Sequence, residues 1–174
     1  MTQLISNKQN IAVSIATETI TTCLKTFYGR GGDIPDGRDS FQDDIIVTDN
    51  FRLTEVTVTL YEFVHTWVGD LVVQLRHLET ETVVDLFKRP GQPQFSASGY
   101  SSNLDGNYSF NDRNSCAFDA IADRNAVIPS GDYTSSDSLR AFFGLSAAGT
   151  WRLTINDCAI GDSGTLGSWK LDLQ

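Results

Sequence analysis

The sequence predicts an all-β protein, a jelly-roll β-sandwich of about eight or nine short strands. Three observations carry that expectation. Apolar and polar residues alternate with period two in several short runs, and dense clusters of turn-forming residues separate the runs. No stretch shows the 3.6-residue periodicity of an amphipathic helix. The acidic residues agree: of 22, 17 are Asp and 5 are Glu. Helices favour Glu, whereas Asp bonds its own backbone and belongs in turns and caps.

In chain order, the segment Asn10 to Tyr28 is rich in Ile, Val and Thr and lacks Pro and Gly, which predicts one or two strands. Gly29 to Asp39 holds Gly29, Gly31, Gly32, Asp33, Pro35, Asp36, Gly37 and Asp39, a density of turn-formers that predicts a break. The expected organisation is therefore an N-terminal strand region, residues 1–33, followed by the sandwich proper, residues 34–174. From Leu53 the alternation is clear. Val56, Val58 and Leu60 share one face and Thr57, Thr59 and Tyr61 the other. Leu71, Val73 and Leu75 repeat it after Gly69-Asp70, and Val83, Val84, Leu86 and Phe87 form an apolar run that Pro90 and Gly91 end. Gln92 to Asn114 is polar and rich in Gly, Ser and Asn, which predicts mostly loop. Leu139, Phe142 and Phe143 precede Gly144. Trp151, Leu153 and Ile155 then alternate with Arg152, Thr154 and Asn156, and Trp169, Leu171 and Leu173 alternate with Lys170 and Asp172. These last two runs lie close in sequence and are expected to pair antiparallel, with Trp151 and Trp169 in the core.

A length of 174 residues suits one domain with a sizeable core. The net charge of -9 argues against nucleic acid and against an anionic membrane as partners. No apolar run approaches the roughly 20 residues that span a bilayer. The residues after Met1 lack the apolar core of a signal peptide, which leaves the localisation open. Cys23, Cys116 and Cys158 are too few for a disulfide scaffold and have no zinc-ligand spacing.

Catalysis has no support in the sequence. There are two histidines, His65 and His77, and no nucleophile elbow. His65 at a strand start reads as scaffold, and His77 beside Leu78 and Glu79 at a strand end reads as exposed. A hydrolase on this scaffold is the weakest of the functional readings.

Two segments are more specific than their composition. One is His65-Thr66-Trp67-Val68-Gly69-Asp70-Leu71. The other runs from Gly149-Thr150-Trp151-Arg152-Leu153-Thr154-Ile155-Asn156-Asp157 through Asp162, Gly164, Leu166, Trp169 and Leu171. Together they resemble the P domain, or Homo B domain, of proprotein convertases and bacterial subtilisin-like proteases. Ile34-Pro35-Asp36, Tyr108-Ser109-Phe110-Asn111-Asp112 and Leu139 to Gly144 are similar to further segments of that family in the same order. Asn111 stands where the family pattern has an acid. The resemblance covers residues 34 to 174; residues 1 to 33 match nothing.

The resemblance implies a galactose-binding-domain-like jelly roll that packs beside a neighbouring protease or other protein domain and helps it to fold. It implies a proteolysis context, a secreted origin and an association with calcium, but no nucleophile. Calcium takes six to eight oxygens, and Asp157, Asp162, Asp112, Asp70 and Asp36 all sit in loops or at strand ends. Each of these aspartates either caps a turn or joins a shared cation site where the loops meet. Cys116 and Cys158 lie near Asp112 and Asp157, so convergence of those loops would permit a bridge. Tyr100, Tyr108 and Phe110 would suit a sugar-stacking platform. That makes a carbohydrate-binding module the alternative to the protease-associated one.

Overall fold

The computed structural model describes residues 23–37 and 39–174. The part of the expected N-terminal strands before residue 23 lies outside the described residues. The described residues form ten strands, in order: β1 Lys25–Ile34, β2 Ser40–Val47, β3 Val56–His65, β4 Leu71–His77, β5 Thr82–Lys88, β6 Asn103–Phe110, β7 Val127–Ile128, β8 Gly131–Tyr133, β9 Gly149–Asp157 and β10 Gly164–Leu173. One sheet has the order β1-β10-β3-β6-β7, with β8 also on β6; the other has the order β2-β9-β4-β5. The two layers form a β-sandwich. Eight strands are long enough to carry the sandwich, and β7 and β8 are short additions running parallel to β6. A one-turn helix, α1 Phe118–Ala122, and two 3₁₀ turns, Val68–Asp70 and Leu139–Phe142, are the other elements among the described residues.

The core follows the period-two pattern. Val56, Val58 and Leu60 of β3, Leu71, Val73 and Leu75 of β4, Trp151, Leu153 and Ile155 of β9, and Trp169, Leu171 and Leu173 of β10 are all buried. An aromatic group fills one flank, where Phe87 stacks on Phe118 at 4.4 Å between ring centroids and Tyr133 meets Phe118 edge-on at 5.4 Å. On the outer face of the smaller sheet, Arg152 of β9 grips Asp44 of β2 with two hydrogen bonds of 2.7 Å. These bonds hold the Asp44 carboxyl below its ordinary range.

Three expectations are corrected. First, β1 runs without interruption through Gly29 to Ile34, across the position expected to divide the chain, and it pairs with β10 from Lys25↔Leu173 to Ile34↔Gly164. The glycines there serve close approach, not turning. A Cβ on Gly29 would run into the Trp169 indole, and one on Gly31 into the Leu166 and Gly167 carbonyls. Second, the stretch expected to be loop holds β6, an inner strand of its sheet. Its inward residues Leu104, Tyr108 and Phe110 are fully buried, but Asn, Asp, Gly and Ser between them disguise the alternation. Third, β9 and β10 are not neighbours. They belong to opposite sheets, so the connection between them arches over the end of the sandwich, and Trp151 and Trp169 enter the core from opposite sides.

One irregularity decides what lies at that end. The β3–β6 register shifts between Leu60 and Phe63, where Glu62 adopts φ 49° and its N–H is caught by Asn107 Oδ1 at 2.8 Å. The bulge moves the buried set from Val56, Val58 and Leu60 to Phe63 and His65. Without it, Glu62 and Val64 would face inward and His65 would face solvent.

Candidate functional site

The connections after β1, β3 and β9 meet at one end of the sandwich. Asp157, the last residue of β9, pairs with Leu71 in register, so it sits beside the 3₁₀ turn that begins β4. Its Oδ2 lies 3.1 Å from His65 Nε2, and its Oδ1 accepts the Ala159 N–H at 3.2 Å. Both side chains of this pair are sealed from solvent. His65 Nδ1 lies 3.1 Å from both the N–H and the carbonyl oxygen of Trp67, and at the other side of the ring the Asp157 carboxylate, which can only accept, takes its hydrogen bond from Nε2. His65 thus ties the larger sheet to the smaller one.

Around this pair lie three more of the predicted aspartates. Asp70 is buried, with Arg89 Nη2 3.4 Å from its Oδ1, while Arg89 Nε donates to the Gly69 carbonyl at 3.0 Å. Burial pushes the Asp70 carboxyl up, the Asp157 and Asp162 carboxylates push it further, and Arg89 opposes them. Asp162 Oδ1 accepts the Thr66 hydroxyl at 2.7 Å. Asp36 accepts the Gly161 N–H with both oxygens, at 3.1 and 3.2 Å. Among the described residues no three His, Cys, Asp or Glu side chains form a ready metal-ligand set. The charges of Asp157 and Asp162 reach Asp70, but the oxygens of the three are turned toward separate protein donors. Occupancy by a cation would require the Asp70–Arg89 and Asp162–Thr66 contacts to be exchanged.

Asp112 is not in this group. Val58 pairs with Phe110 and His65 with Leu104, so Asp112, just past Phe110, lies at the opposite end. There its carboxylate accepts the Leu139 N–H at 3.1 Å, the Arg140 N–H at 3.0 Å and the Ser138 hydroxyl at 2.6 Å, which caps the second 3₁₀ turn. Asn111 beside it donates to Thr57 Oγ1, at 2.6 Å, and Glu55 Oε1, at 3.0 Å. An amide serves there where a carboxylate would face Glu55.

Other readings also change. Cys116 and Cys158 are free thiols, and the same register argument keeps Cys158, next to Asp157, away from Cys116, beyond Phe110. His77 is buried, not exposed. Its ring lies 4.7 Å from that of Trp151 and its nitrogens meet Thr80 Oγ1, at 2.9 Å, and the Ala148 carbonyl, at 3.1 Å. Tyr108 and Phe110 are in the core and cannot form a surface platform; Tyr100 alone of that set keeps part of its ring outside. Arg89 is the site member that the sequence reading missed, and its position after a strand end offers no signal for it.

The segments singled out in the sequence prove to be bonded to each other. His65 and Thr66 of the first motif hold Asp157 and Asp162 of the second. Asp36 of the Ile-Pro-Asp segment holds Gly161, and Asp112 joins its own motif to Leu139.

Residues 121–173 match the family model of the proprotein convertase P-domain. That span includes the Leu139–Gly144 segment and the whole closing motif. Among solved structures, the chain is similar to the crystal structure of the serine protease of Aeromonas sobria, with 17% identity and a TM-score of 0.49. It is also similar to the structure of that protease in complex with the chaperone ORF2, with 17% identity and a TM-score of 0.50. Each match covers 87% of this chain and 27% of the other, so this chain spans about a quarter of the length of those proteins. At this identity the second likeness is one of fold. No curated protein matches. The resemblance to the P domain read from the motifs is borne out, with residues 121–173 as the matched stretch.

Proposed function

We propose that this P-domain-like sandwich is a non-catalytic accessory module of a subtilisin-like serine endopeptidase, stabilising the catalytic domain beside it. The observation that carries the reading is the family match over residues 121–173, on a fold whose family-like motifs hold one another by direct hydrogen bonds. The eight long strands, ordered β1-β10-β3-β6 over β2-β9-β4-β5, support the finer description as a jelly roll. A non-catalytic role accords with the burial of the His–Asp pair. His65 and Asp157 have a base-and-orienter geometry, but a substrate cannot reach side chains with no solvent exposure.

The reading is tested on the protein's own reading frame and source. A subtilisin-like catalytic domain in the same chain, or one that co-purifies with it, is the expected result. Recovery of the chain from its native source without either overturns the proposal.

Calcium belongs to the same proposal. Asp70, Asp157 and Asp162 are the acceptors we assign to it, with Asp36 at the rim and Asp112 excluded by its distance along the sandwich. The supporting observation is a buried Asp70 carboxyl next to the Asp157 and Asp162 carboxylates, whose charges push it up and which a divalent cation would offset. Calcium at about 100 times its dissociation constant should add about 2.7 kcal/mol, a rise of roughly 5–10 °C in melting temperature over that in EGTA. The Asp162→Asn variant should lose most of that rise. Identical melts with calcium and with chelator would remove the metal from the proposal and leave the rest standing.

A further inference from the structure

Beside the loop end lies a cleft that neither the aspartates nor the core uses. One wall is the loop from Gly91 to Ser101. Hydrogen bonds fold it back, from Phe95 N–H to the Gly91 carbonyl at 2.8 Å and from Tyr100 N–H to the Pro90 carbonyl at 2.8 Å. The Gly69 N–H donates to the Tyr100 carbonyl at 3.0 Å, and a Cβ on Gly69 would come within 2.8 Å of Gly99 Cα, so this loop rests directly on the turn before β4. The other wall is the end of α1 and the turn after it. It is tied to β6 by Asn103 N–H to the Ala126 carbonyl at 2.8 Å and Ser102 Oγ to the Ala122 carbonyl at 2.5 Å. Both walls are therefore fixed to the sandwich before any ligand arrives.

The cleft between them has a volume of about 500 Å³. Phe95 and Tyr100 line one side, with ring centroids 4.9 Å apart, and Asp123, Arg124 and Asn125 line the other. Phe95 is 65% exposed, a large apolar ring standing in solvent on an acidic protein. Burial first, and then the Asp123 and Asp119 carboxylates, push the Tyr100 hydroxyl up. The opposing wall is polar, which disfavours a wholly apolar ligand. Asp123 and Arg124 offset each other's charge within the cleft, and the net charge of -9 repels anions. The remaining fit is a ring with an apolar face and a hydroxylated edge.

We propose that this cleft binds a neutral saccharide, its ring laid on Phe95 and Tyr100 and its hydroxyls met by Asp123, Arg124 and Asn125. The site differs from the Tyr100, Tyr108 and Phe110 platform expected from the sequence, because two of those rings are buried and Phe95 supplies the second aromatic face.

The experiment is calorimetric or NMR titration of the whole chain with maltose, cellobiose, lactose and diacetylchitobiose, in EGTA so that the calcium proposal plays no part. At least one of these should bind in the millimolar range or tighter. Phe95→Ala and Asp123→Asn should each weaken that binding about tenfold or more. The melting temperature of the Phe95→Ala variant should stay near that of the wild type, because the deleted ring is exposed. Three outcomes would overturn the proposal: no binding across the panel, binding that neither substitution affects, or binding in this cleft of tetralysine with no sugar response.

Discussion

Replacing Asp157 by alanine is expected to destabilise the protein by roughly 3 kcal/mol or more, without any ligand present. The substitution removes the acceptor from His65 Nε2 in a place with no solvent exposure, so a polar N–H is left buried and unpaired. It also frees the Ala159 N–H that starts the arch from β9 to β10. Chemical denaturation would read the loss directly. Asp157→Asn keeps an acceptor oxygen of nearly the same shape and should cost distinctly less. Combining Asp157→Ala with His65→Leu should recover part of the loss, since the orphaned donor is then gone. If the single alanine variant unfolded within about 0.5 kcal/mol of the wild type, as surface substitutions do, the pair would not be holding the two sheets together. The effect is independent of calcium, which separates this structural duty of Asp157 from the metal proposed beside it.

The sandwich was legible because inward residues such as Val56, Val58 and Leu60, or Trp169, Leu171 and Leu173, obey the period that a half-buried strand imposes. That period says which residues face inward, but not which strands adjoin. Strands β9 and β10 carry the same pattern whether they form a hairpin or face each other across the core, and the second arrangement is the real one. The bulge at Glu62 breaks the parity on which such readings depend, so the inward position of His65 follows from backbone geometry that no alternation records. Glycine misled in the opposite direction. Gly29 and Gly31 look like turn residues in a linear reading, yet each is required because a neighbour occupies the space of its Cβ. Among the candidate ligands, four lie in loops that the structure brings to one end of the sandwich. Only the register of β3 on β6 separates Asp112 from the other four aspartates.

Trp169→Ala is expected to have the largest effect of any single substitution considered, about 3–5 kcal/mol, or a fall of roughly 6–20 °C in melting temperature. The indole is wholly buried between Leu60 of β3 and Gly29 of β1, its two cross-strand partners. Its Nε1 reaches across to β2 and donates to Asp43 Oδ2 at 2.9 Å. The same oxygen accepts the Arg30 N–H at 2.8 Å, so one buried carboxylate closes the side of the sandwich where β1 and β2 meet. Truncation leaves a cavity and deprives Asp43 of one of its donors at the same time. Trp169→Phe, which keeps most of the volume and loses only the N–H and part of the ring, should cost less than half as much. The geometry also makes a sharper demand. Gly29→Ala alone should destabilise by about 1–3 kcal/mol, because the new methyl group meets the indole and comes within 2.6 Å of Asp43 Oδ2. In the Trp169→Ala background the indole is gone, so the added cost of Gly29→Ala should shrink by about half or more. Additive losses in the double variant would mean that the glycine is needed for the backbone path of β1 and not for the space that Trp169 occupies.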